Sequence, residues 1–80
     1  MNFSDALGLL RQGHIMRRNS WLDEKKNIRI ITPKEFYKDS YNPDYGNKEF
    51  IFISSRIYSG IWTPSSDDIL SIDWIVVGKK

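Results

Sequence analysis

Residues 49–77 read EFIFISSRIYSGIWTPSSDDILSIDWIVV, and this stretch decides the fold. From Glu49 to Ser54 bulky apolar side chains fill both strand faces, Phe50 and Phe52 on one and Ile51 and Ile53 on the other. Ser54-Ser55-Arg56 gives a tight connection, and Ile57 to Trp62 reads as a second strand pairing back on the first. Thr63 to Asp68 breaks the pattern with helix-start signals. Ser65 followed three residues later by Asp68 matches a capping box, and Thr63-Pro64 offers a second N-cap with proline at the first helical position. A one-turn helix then returns the chain to a last strand, where Trp74 and Val76 oppose Ile75 and Val77. One helix covers only one sheet face. Strands apolar on both faces therefore predict that the second face meets another subunit, with a covering of loops as the alternative.

Working outward, Phe3, Ala6, Leu7 and Leu10 recur at helical spacing, with Asn2 or Ser4 as the cap and Gly13 at the exit. His14 to Arg18 is mixed in character and leads into Arg17-Arg18-Asn19-Ser20-Trp21. Leu22 to Lys26 is charged and reads as a turn. Asn27 to Thr32 is rich in β-branched residues and reads as a strand. Pro33 to Lys48 is a polar middle, read as a loop with room for a short strand near Phe36; Asn42-Pro43-Asp44-Tyr45-Gly46 marks a turn within it. The predicted architecture is α+β: an N-terminal helix packed on an antiparallel sheet of four to five strands, with a short helix before the last strand. Residues 1–80 form one domain.

Composition narrows the function. Eighty residues bury only roughly 60% of their unfolded surface, and without cysteine no disulfide staples them. Oligomerisation is the remaining common source of stability for so small a domain. Twelve basic residues nearly balance ten acidic ones, so no polybasic nucleic-acid binder is expected. No apolar run approaches the ~20 residues of a membrane span, and no signal peptide is expected. A cytoplasmic protein follows as the expectation.

Catalytic groups are sparse. His14 is the single histidine and sits beside a glycine; a thiolate or two-histidine metal site cannot be assembled. The glycines are scattered, without a phosphate loop. Asp67 and Asp68 are adjacent and so diverge by about 100° on a helix; they suit the positive helix N-terminus better than an acid–base pair. The expectation is a non-enzyme without cofactor or metal. Two constellations instead suit ligand binding. Around Trp62, helix-start amides gather near Ser65 to Asp67, where a phosphate can bind; a well-capped turn with a packed tryptophan is the plain alternative. Around Trp21, Arg17 and Arg18 offer bidentate donors to phosphate and the indole a stacking face for a base. The alternative there is a half-buried tryptophan beside solvated arginines.

Two blocks carry a family resemblance. Met1-Asn2-Phe3-Ser4-Asp5-Ala6-Leu7 with Leu10, Gly13, Arg17 or Arg18 and Trp21 resembles the start of the phage Thoeris anti-defence protein 2 family. Trp62-x-Pro64-Ser65-Ser66-x-Asp68-Ile69-Leu70-Ser71-x-Asp73-Trp74 resembles its second signature. The resemblance implies a phage- or prophage-encoded sponge in the bacterial cytoplasm. Such a protein sequesters the cyclic ADP-ribose isomer, or a cyclic dinucleotide, that signals immunity. It implies homotetramers with pockets at subunit interfaces. It further implies that Trp21 and Trp62 sandwich or flank the base, that Arg17 and Arg18 face phosphates, and that Ser65 and Asp68 bond ribose or phosphate. Asp73 and Trp74 are expected to be structural, and Phe3 to line pocket or core. The rival expectation is a protein-interaction inhibitor of a defence system, of anti-CRISPR type, acting through its surface.

Overall fold

The computed structural model describes residues 1–80. Helix α1 runs Phe3–Arg11, and Asn2 caps it by accepting the Asp5 N–H at 2.8 Å. Its apolar stripe buries Ala6 and Leu10 against the sheet. Gly13 then takes φ 94°, a left-handed conformation open to glycine without strain, and turns the chain into β1, His14–Arg18. The remaining elements are β2 (Asn27–Ile31), α2 (Pro33–Tyr37), β3 (Phe50–Ser54), β4 (Ser59–Ile61), α3 (Ser66–Leu70) and β5 (Trp74–Lys79). Two short 3₁₀ turns, Lys38–Ser40 and Pro43–Tyr45, lie between α2 and β3.

The five strands form one antiparallel sheet in the order β4-β3-β2-β1-β5. The fold is the predicted α+β arrangement of N-terminal helix, antiparallel sheet and short helix before the last strand. The core follows from register: Met16 stands opposite Ile28, and Ile28 opposite Ile53, on the face that α1 covers. Ala6, Leu10 and Trp74 complete this buried cluster. Phe3, Trp21 and Trp62 pack around it half-buried.

Two expectations change. The mixed segment His14–Arg18 is a strand in the interior of the sheet, between β2 and β5. Its pairing with β5 is irregular between Ile15 and Met16, where the register shifts. The polar middle, expected as a loop, contains α2. Thr32 and Glu35 close a capping box there, with Pro33 starting the helix. That helix sets Phe36 against Phe50 and Phe52, at ring-centroid distances of 5.5 and 5.8 Å. The second sheet face is therefore partly covered within the chain. Over β5 it stays open, with Ile75 and Val77 exposed.

Candidate functional site

Trp74 begins β5 and is fully buried, and three aromatic rings meet it. Phe3 and Trp21 each lie 5.4 Å away between centroids, and Trp62 lies 6.0 Å away. Both tryptophan pairs are near-perpendicular, the edge-to-face geometry that ring quadrupoles favour. The Trp74 indole N–H donates to the Asp68 carbonyl at 3.0 Å, tying α3 to the hub. Trp21, just beyond β1, and Trp62, just beyond β4, are each half-buried and so partly exposed to solvent. They do not stack on one another; the buried Trp74 links them. Trp62 is fixed by its backbone N–H, which donates to the Ile51 carbonyl at 2.8 Å.

An ion cluster adjoins the rings. Arg18, at the end of β1, donates to Asp73 at 3.0 Å, Asp67 at 2.9 Å and Asp68 at 3.1 Å. Burial by itself would lower the arginine pKa, but the bonds to Asp67, Asp73 and Asp68 outweigh it and raise it further. Asp73 is held down at about 2, first by hydrogen bonding from Ser20, whose backbone N–H lies 3.0 Å away, and then by Arg18. For Asp68, burial pushes the pKa upward, yet Ser65 and Arg18 together draw it below the ordinary value. Asp68 and Asp73 are thus charged at neutral pH. One guanidinium faces three carboxylates, which leaves a local charge of −2.

This pairing predicts an acid dependence. A carboxylate with a depressed native pKa stabilises the fold above its unfolded value, and that contribution is lost as pH falls. For Asp73 it is present above about pH 4 and lost as pH falls through about 2. The loss is on the order of 1–2 kcal/mol after solvent screening. Urea melts across this range should show it in the wild type and not in Asp73→Asn. Equal acid slopes for the two proteins would remove the argument.

The structure sorts the six residues expected to bind ligand. Arg17 is a correction. It is buried, and its guanidinium donates to three backbone carbonyls: Trp21 at 2.7 Å, Arg18 at 3.3 Å, and Glu24. It shapes the loop that carries Trp21 and does not face outward to a phosphate. Arg18 is already engaged by carboxylates. Ser65 and Asp68 form the expected capping box: Ser65 accepts the Asp68 N–H at 3.1 Å, and Asp68 accepts the Ser65 N–H at 2.9 Å. The amides expected to be free at this helix start are therefore partly taken by its own side chains. Trp21 and Trp62 remain partly exposed. One neighbour was missed within the charged turn: Lys26 Nζ lies 4.5 Å from the centroid of the Trp21 ring.

The aromatic corner is an open surface. A cleft of about 510 Å³ lies on the opposite sheet face, among Arg29, Phe36, Phe52 and Lys80. No three or more His, Asp or Glu side chains are grouped to hold a metal ion. No helix is long and apolar enough to cross a membrane.

Residues 1–77 match the Thoeris anti-defense 2-like domain family, Tad2-like, which is nearly the whole chain. No curated protein matches it. The chain belongs to the Thoeris anti-defense 2-like family.

Proposed function

We propose that this Thoeris anti-defense 2-like protein is a sponge that binds a cyclic ADP-ribose isomer, or a related cyclic nucleotide, and holds it uncleaved. The observation that carries this reading is the pair of half-buried indoles, Trp21 and Trp62, supported by one buried tryptophan at an open corner. Purine bases stack on such rings for about 1–3 kcal/mol each. To deprive an effector of its signal, the affinity must reach the nanomolar range, about −12 kcal/mol. Stacking alone falls short. The corner needs further walls, and a homotetramer supplies them from neighbouring subunits. Exposed Leu70, Ile72, Ile75 and Val77 support such an assembly, because they give apolar surface near the corner and β5 for another copy to cover.

Non-enzymatic action is part of the proposal. Asp68 is a capping and ion-pairing carboxylate held below the usual range, the opposite of a group poised to deliver a proton at neutral pH. A surface-acting inhibitor of a defence protein is the second reading. Leu22 and Ile57 favour it, being 99% and 85% exposed on the walls of one shallow depression.

One experiment tests these readings. The protein is incubated with the cyclic ADP-ribose isomer, freed of unbound ligand, heat-denatured, and the released material is analysed. Intact ligand supports the sponge. Altered ligand would make the protein an enzyme, and no ligand would favour the surface inhibitor or a different ligand.

A further inference from the structure

We infer that Lys26, rather than Arg17 or Arg18, is the cation that meets the phosphates of a ligand stacked at Trp21. This rests on the sequestration reading and names the residue that gives that site its preference for an anion.

Arg17, Arg18 and Lys26 are the cations to compare beside Trp21, and their partners separate them. Arg17 is buried, with its guanidinium bonded to the carbonyls of Arg18, Trp21 and Glu24. A phosphate could recruit it only by breaking the contacts that shape the loop. Arg18 is outnumbered by Asp67, Asp68 and Asp73, so an incoming anion meets a negative cluster there. Lys26 has no carboxylate within ion-pairing distance, and its ammonium makes no hydrogen bond within the chain. It lies over the Trp21 ring, 4.5 Å from the centroid, where the ring quadrupole attracts a cation.

The turn holds this arrangement in place. Lys26 N–H donates to the Asp23 carbonyl at 3.0 Å. The Asp23 carboxylate accepts the Lys25 N–H and the Arg56 N–H, each at 2.9 Å. Those two amides, Arg56 first, keep it below the usual carboxylate pKa. Asp23 thus fixes the turn and is occupied elsewhere, leaving Lys26 without a carboxylate partner beside the Trp21 ring. A base settling on that ring displaces the ammonium from the π face. A phosphate a few ångströms away then receives it, and three rotatable N–H donors on a flexible stem suit that exchange.

The test uses the full chain and the cyclic ADP-ribose isomer, titrated calorimetrically at low and high salt. Lys26→Met keeps the aliphatic stem over the ring and removes only the charge; circular dichroism and thermal melting check that it folds. It should bind at least about tenfold more weakly at low salt and lose less affinity as salt rises. Lys26→Arg should restore both properties. Wild-type affinity and salt response in Lys26→Met would overturn the assignment. So would weakening with an unchanged salt response, or an arginine variant no better than methionine. Wild-type protein that binds nothing would instead overturn the sequestration reading, and with it this inference.

Discussion

Trp74→Ala is expected to lower stability by about 3–5 kcal/mol, the usual range for emptying a buried aromatic site. The ring is fully buried, touches Phe3, Trp21 and Trp62, and holds α3 through the Asp68 carbonyl. Alanine leaves a cavity and removes the donor that this carbonyl faces. A domain of this length has only about 4–12 kcal/mol in total, so the loss is a large part of it. Urea denaturation should show the midpoint falling by about 1.5 M or more, given a slope of about 1–2 kcal/mol/M for a small protein. A midpoint within about 0.5 M of the wild type would mean that Trp74 is not the hub. Trp74→Phe should fall between the two, keeping ring contacts and losing the indole hydrogen bond.

The second large effect is on binding. On the sequestration reading, Trp62→Ala and Trp21→Ala should each weaken retention of the cyclic ADP-ribose isomer by about 5- to 150-fold. Each change removes a stacking face worth about 1–3 kcal/mol and opens the surrounding surface to water. Both rings are half-buried, so each variant also loses some stability, and the folded fraction must be measured alongside affinity. Phenylalanine at either position keeps an aromatic face and should recover part of the binding. If both alanine variants, folded, hold the ligand as tightly as the wild type, the site lies elsewhere.

Much of the fold was legible because local chemistry and global position agree. The helix rule at Asn2, the apolar spacing through Leu10 and the capping box at Ser65 and Asp68 each describe the element that forms. Strand β1 was hard to read because its signal is not apolar. Arg17 sits buried in the interior of the sheet, made tolerable by carbonyls of a loop that sequence does not fold in the mind. Helix α2 carries the same capping device as α3, in Thr32, Pro33 and Glu35. The polar side chains around it read as a loop, and only the packing of Phe36 on Phe50 and Phe52 gives it a place.

The site divides in the same way. Its two tryptophans stand out in the sequence, since large rings in polar company need a partner. Which cations remain available to a ligand does not stand out. Arg18 reaches Asp73 across 55 positions of chain, and only the β1–β5 pairing brings them together. Lys26 looked like one charge among several until the Asp23 turn set it over an indole.

The Arg18 clasp has a consequence in time. By joining the end of β1 to both α3 and the residue before β5, it ties the segment after Trp62 to the strand leading to Trp21. Walls fastened to one another need little ordering when a guest arrives, and they resist opening once it is inside. At nanomolar affinity and an arrival rate constant of about 10⁶ M⁻¹s⁻¹, a captured molecule stays for about 1,000 s.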